Sequence, residues 1–325
     1  MGISVEFQLA PVSKGQRGGV DPTLTETDEK QLADAGFRCI RLVFSPNELN
    51  STTNPDTVDA GRVSVLLRTI EDARQVGLSV IVAPRLHRKD FGTAASTLGR
   101  LAGLLGNTDV NTTFLELCSE PLNMDADAWQ IVEGSWVSSI RQNMPRHTLI
   151  VRAGGKDGPN DLLAFPPLDD RNLVYAFQYF EPTSFTGQWL ADSPLQEADK
   201  VTLPYPATVG DIVPLISNLS DSQKDWAMQY GRERWDSTKL SETMRPIGDW
   251  SRSQKVRVLC DGFGVSQKVT ASNRAKYFQD LKGALNDAGI GWTLSEYVGA
   301  RGVYSGAPGV RSADSGVLAA LGLSG

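Results

Sequence analysis

Residues 39–83 read CIRLVFSPNELNSTTNPDTVDAGRVSVLLRTIEDARQVGLSVIVA, and the fold can be argued outward from them. CIRLVF (39–44) and LSVIVA (78–83) are near-continuous apolar runs of the kind found in strands buried on both faces. Between them Val63, Leu66, Leu67 and Ile70 fall on one face at helical spacing. Parallel neighbours in a sheet need such a crossover, so the stretch reads as strand, helix, strand. Six more runs of the same type recur along the chain: ISVEFQL (3–9), TTFLELC (112–118), TLIVRA (148–153), LVYAFQYF (173–180), VRVLC (256–260) and GWTLSEY (291–297). Helical patterns separate them. DADAWQIVEGSWVSSIRQN (125–143) opens on acidic capping residues and puts Trp129, Val132 and Trp136 on one stripe. TASNRAKYFQDLKGALNDAG (270–289) turns Phe278, Leu281 and Leu285 inward and stops at Gly289.

Eight strands alternating with helices over about 300 residues predict an α/β fold of the (β/α)8 TIM-barrel type, one domain spanning residues 1–325. An open doubly wound sheet is the competing architecture, and it lacks support because no GxGxxG follows the first run. Residues 181–254, with Trp189, Trp226, Trp235, Trp250 and the PYP of 204–206, form a long excursion after strand six, expected on the face where barrel active sites form.

The charge balance narrows the partners. A net charge of −6 without any Lys/Arg cluster argues against nucleic acid and leaves a neutral, polar or cationic ligand. Cys39, Cys118 and Cys260 show neither CxxC nor Cys/His metal spacing, so no metal and no cofactor are expected. All three lie in apolar runs and read as packing residues, Cys118 and Cys260 inside the barrel, with one disulfide left open. No apolar run approaches the roughly 20 residues of a membrane span. MGISVEFQLAP lacks the basic start and apolar stretch of a signal peptide, but Met1-Gly2 suits a trimmed secreted chain equally well, so the compartment stays open.

In a barrel, chemistry belongs at the C-terminal ends of the strands. Those ends supply Arg41, His87, Ser119-Glu120-Pro121, Gln178-Tyr179-Phe180-Glu181, Asp261-Gly262-Phe263-Gly264 and Ser295-Glu296-Tyr297. Carboxylates and amides that bond hydroxyls, interleaved with aromatic faces, suit a sugar. Trp189 is the first choice for a stacking platform.

Five motifs in order carry a family resemblance: GFRCIRLVFSP, FLELCSEP, FQYFEPTSFTGQ with PYP downstream, GFGV, and WTLSEYVGARGVY. Together they span essentially the whole chain, which resembles glycoside hydrolase family 5 of the retaining β-glycosidase clan. The resemblance implies a carbohydrate partner, a β-glycan or exopolysaccharide, and favours a periplasmic or secreted setting. It puts the strand-two arginine at Arg41 and the acid/base at Glu120, with Ser119 replacing the family's asparagine. The family's strand-six His-Tyr becomes Gln178-Tyr179, its strand-eight tryptophan becomes Ser295, and its acidic position there is Glu296. The strand-three histidine falls at Arg85 or, with two residues inserted, at His87. The family's GEFG becomes DGFG, so Gly262 stands where the nucleophile belongs.

Retaining hydrolysis needs two carboxyl groups about 5–5.5 Å apart, and glycine supplies none. Strand alternation aims Asp261 away from the cavity unless a bulge turns it inward. Two readings follow: a barrel that keeps a glycan cleft with hydrolysis lost or strongly reduced, or a rewired glycosidase or transglycosylase using Glu120 with Asp261 or Glu296. Arg41 is expected to hold Glu120 ionised.

Overall fold

The computed structural model describes residues 1–9, 24–51, 57–86, 90–119, 124–191, 193–195 and 201–324. Eight parallel strands close on themselves in sequence order. They are β1 (Gly2–Glu6), β2 (Cys39–Phe44), β3 (Ser79–Pro84), β4 (Thr113–Glu116), β5 (Leu149–Arg152), β6 (Leu173–Gln178), β7 (Arg257–Phe263) and β8 (Gly291–Leu294). Closure is made by β1 against β8, with Gly2 opposite Thr293 and Ile3 opposite Leu294. This is the (β/α)8 barrel that the apolar runs predict, not the open sheet.

Helices α1 (Glu26–Ala35), α2 (Ala60–Gln75), α3 (Phe91–Leu105), α4 (Ala126–Arg141) and α5 (Pro159–Ala164) follow the first five strands in turn. The excursion between β6 and β7 holds α6 (Thr183–Thr186), α7 (Val209–Ile212), α8 (Asp221–Glu233) and α9 (Ser237–Gln254). After β7 comes α10 (Ala271–Asp287), and α11 (Ser315–Ala320) follows β8. Local signals explain the boundaries. Thr25 and Asp28 form a reciprocal capping box on α1, and the Asp125 carboxylate accepts the Ala128 N–H at the start of α4.

Strand alternation sorts side chains into two layers. Ile40, Leu42, Phe44, Val80, Val82, Leu115 and Leu117 face the helices and join the main core. There Trp129 and Trp136 of α4 meet edge to face, with centroids 5.8 Å apart. Val43, Ile81, Ala83, Ile150 and Ala176 form a smaller cluster inside the barrel. Cys260 packs with Val258 in the main core and Cys39 against the interior cluster, which corrects the expectation that Cys260 fills the barrel. Burial pushes the Cys39 thiol up to about 12, far from nucleophile range.

The excursion is pinned by specific bonds. Tyr277 Oη donates to the Glu181 carbonyl at 2.6 Å, and Tyr230 Oη to Pro204 at 2.6 Å. The Ser266 N–H donates to the Thr186 carbonyl at 2.9 Å, tying the segment after β7 to the one after β6. Gly264 admits no other residue without rearrangement, since a Cβ there would lie 1.9 Å from the Ser295 carbonyl oxygen.

Candidate functional site

Five ionisable side chains from the strands and one adjoining loop meet inside the barrel. Arg41 of β2 grips Glu116 of β4 through Nε–Oε2 and Nη2–Oε1 contacts, both 2.7 Å. Its Nη2 also lies 3.4 Å from Asp261 Oδ2 on β7. Arg152, the last residue of β5, reaches Glu116 at 2.9 Å and pairs directly with both Asp157 and Asp261. Arg152 Nε donates to the Cys118 carbonyl at 2.7 Å. Glu116, Arg152 and Asp261 are fully enclosed.

Arg41 therefore pairs with Glu116, the last residue of β4, while Glu120, beside which the sequence placed it, lies outside the described residues. Asp261, expected as a possible cleft carboxylate, is instead fully enclosed. The pairing register shifts between Phe177 and Gln178 on β6 and between Cys260 and Phe263 across β7 and β8. Alternation from Leu259, which packs on the interior cluster, points the Asp261 carboxylate inward, onto the two guanidiniums rather than into open space.

Two guanidiniums face three carboxylates here. Burial alone would raise the pKa of Glu116, yet Arg41 and Arg152 together outweigh it and hold it below the ordinary value. For Asp157 burial wins and the pKa stands well above normal. Asp261 lies between: burial raises it, the guanidiniums pull it back, and it titrates at about 6. The folded chain thus keeps a proton on Asp261 that the unfolded chain, with an ordinary value of 3.8, has released. This contribution to stability is complete below the unfolded value and is lost as pH rises through about 6. Asp261→Asn, which keeps an acceptor for Arg152 and removes the titration, is expected to gain about 2 kcal/mol on wild type between pH 4 and pH 7. Urea denaturation of both proteins across that range measures it; parallel curves would assign the proton elsewhere.

Above this network lie the strand ends. Gln178 Nε2 donates to the Ser119 carbonyl at 3.2 Å, linking β6 to the residue before Glu120. The Ser119 hydroxyl is buried without a hydrogen-bond partner among the described residues. An added Cβ on Gly262 would meet Gln178 Cγ at 3.5 Å and Phe180 Cζ at 3.7 Å, so the glycine faces these two side chains. The Arg301 guanidinium stacks over the Phe180 ring, 4.7 Å from its centroid. Glu296 accepts the Arg301 backbone N–H at 3.3 Å; burial raises its pKa, and nearby Glu6 adds to the rise. Arg85 makes a two-pronged pair with Glu6, at 2.9 and 2.5 Å.

Tyr179 does not join this group. It is 2% exposed and packs in the helix-facing core, because alternation sends it outward when Gln178 points in. Burial drives its phenol pKa upward. Trp189 is half-buried at φ +68°, and its indole N–H is buried with no hydrogen-bond partner among the described residues. Glu120 and His87 lie outside the described residues. The sequence reading missed Glu116, Arg152, Asp157 and Arg301 as participants. For the first two a signal existed: an ionisable residue at an inward position of an otherwise apolar run.

Comparison with known proteins agrees with this architecture. The sequence model of cellulase, glycosyl hydrolase family 5, matches residues 6–298. Endoglucanase C of Acetivibrio thermocellus is 24% identical over 295 residues, covering 85% of this chain and 84% of that protein. Among solved structures, endoglucanase Cel5A of Thermotoga maritima superposes with a TM-score of 0.78 at 18% identity, covering 98% of this chain and 96% of that one. The cellulose synthase subunit Z of Clostridioides difficile gives 0.75 at 17% identity, with 98% of each chain covered. The chain belongs to the cellulase family, glycosyl hydrolase family 5.

Proposed function

We propose that this barrel binds a β-linked glucan or related exopolysaccharide in the cleft above the arginine network and does not hydrolyse it at a family rate. The observation that carries the reading is Gly262 at the C-terminal end of β7, where the family resemblance puts the nucleophile. The rewired alternative loses Asp261, which is 0% exposed and held by two arginines. The Glu296 carboxylate is engaged by the backbone of its own loop. The kinship with endoglucanases supports a β-glucan as ligand, and the likeness to a cellulose synthase subunit supports an exopolysaccharide.

Calorimetric titration with cello-oligosaccharides, run beside a hydrolysis assay on the same glycans, tests the reading. The expected result is saturable binding without turnover. Turnover that vanishes in both Glu120→Gln and Asp261→Asn would establish a rewired enzyme instead. Trp189 is half-buried, which leaves part of its indole for a sugar to stack on. Trp189→Ala is therefore expected to weaken binding about fivefold to tenfold, the loss of about 1 kcal/mol of stacking.

A further inference from the structure

The turn that follows β8 is clamped from several sides around one side chain. Gln267 donates its backbone N–H to the Ala300 carbonyl and its side-chain amide to the Gly302 carbonyl, both at 2.9 Å. Arg274 Nη2 reaches the same Gly302 carbonyl at 3.1 Å. The Glu296 carboxylate accepts the Arg301 N–H at 3.3 Å. Gly299, at φ +136°, lets the turn close over that carboxylate, since an added Cβ would collide with it. The residue held in this way is Arg301. Its stem passes Gly264, where an added Cβ would lie 3.2 Å from Arg301 Cδ, and its guanidinium lies over the Phe180 ring, 4.7 Å from the centroid. Phe180 is also one of the two side chains nearest Gly262, so the guanidinium stands beside the strand ends that form the cleft. Arg301 is half-buried: packing fixes it, and part of it remains within reach of a ligand.

We propose that Arg301 is a specificity-determining residue, which selects β-linked glycans carrying carboxylates, of the uronate type, over neutral β-glucans. This selectivity rests on the reading of the cleft as a β-glycan site. A planar fork of N–H donors matches a carboxylate, which accepts two parallel bonds, better than it matches single hydroxyls. Because the turn and the Phe180 ring already hold the fork in one orientation, little ordering cost is left to set against the contact. The carboxylates nearby do not oppose an acidic ligand at full strength. Glu6 is gripped by both arms of Arg85, at 2.9 and 2.5 Å. Glu296 is turned onto its own turn, and burial favours its neutral form. Glu296, Gln267 and Phe180 are thus positioning residues for the guanidinium.

The test titrates cellotetraose and the same oligosaccharide oxidised to carboxylates at C6 into the protein at neutral pH, by calorimetry. Wild type is expected to bind the acid about tenfold more tightly than the neutral sugar, the usual worth of one charge-assisted contact. Raising the salt to about 1 M, where charges are screened within about 3 Å, should shrink that ratio. Arg301→Gln should bring the two affinities together, and Arg301→Lys, which keeps the charge without the fork, should retain only part of the preference. If Arg301→Gln does not fold, the lysine variant and the salt series decide. Equal affinities in wild type overturn the selectivity and leave glycan binding standing. A ratio unchanged in Arg301→Gln, with both affinities lowered in step, also overturns it, because a merely structural arginine would act in that way. A folded chain that binds neither sugar overturns the selectivity and the glycan reading together.

Discussion

Gly262→Glu is expected to turn over a nitrophenyl β-cellobioside at least about 10³-fold faster than wild type. The magnitude follows from what a nucleophile is worth: removing one alone has cost up to about 10⁶ in kcat where it has been measured. The backbone accepts the change. A Cβ at 262 sits at ordinary van der Waals distance from Gln178 and Phe180, so the added carboxylate needs only side-chain adjustment. Ser119 and Gln178, standing where family enzymes carry an asparagine and a histidine, keep the restored rate below that of an active relative. A second substitution, Glu120→Gln, should then lower the activity by about 10²-fold or more, the usual worth of a general acid. A Gly262→Glu protein that folds, binds glycan and stays at the wild-type rate would move the nucleophile position away from residue 262 and sink the proposed reading.

The largest stability effect is expected at Arg152. Arg152→Met leaves Glu116, Asp157 and Asp261 enclosed with only Arg41 for compensation, and it removes the bond to the Cys118 carbonyl. Breaking one partner out of a buried ion pair costs about 3–5 kcal/mol, because the charge left behind has neither water nor a counter-ion. Urea denaturation at pH 7 reads this as a large fall in midpoint at constant slope. Arg152→Lys should recover only part of it. One ammonium cannot reproduce the fork that reaches a main-chain carbonyl and three carboxylates. Adding Asp261→Asn to Arg152→Met should return about 1–3 kcal/mol, since the two residues are in contact and their effects do not add. Independent, additive losses would show that the network does not act as a unit.

The barrel was legible because its strands are buried on both faces, and each of the eight runs therefore announces itself as an apolar segment whatever surrounds it. Arg41 and Gly262 were legible for a related reason: a charge inside such a run, or a glycine near its end, stands out. Tyr179 was legible in principle, since adjacent residues on one strand face opposite ways and Gln178 already pointed in. Partner choice inside the barrel was not. That Arg41 meets Glu116 depends on the stagger between β2 and β4, and stagger is fixed by closure of all eight strands together. What Asp261 meets depends in the same way on the stagger that brings Arg41 and Arg152 beside it. The sequence alone thus determined the strands, their order and the glycine at the critical end. The tertiary structure decided which inward residues share a layer, and with that put a buried arginine network beneath the cleft. A strand's own residues dictate its burial, but its neighbours dictate its register.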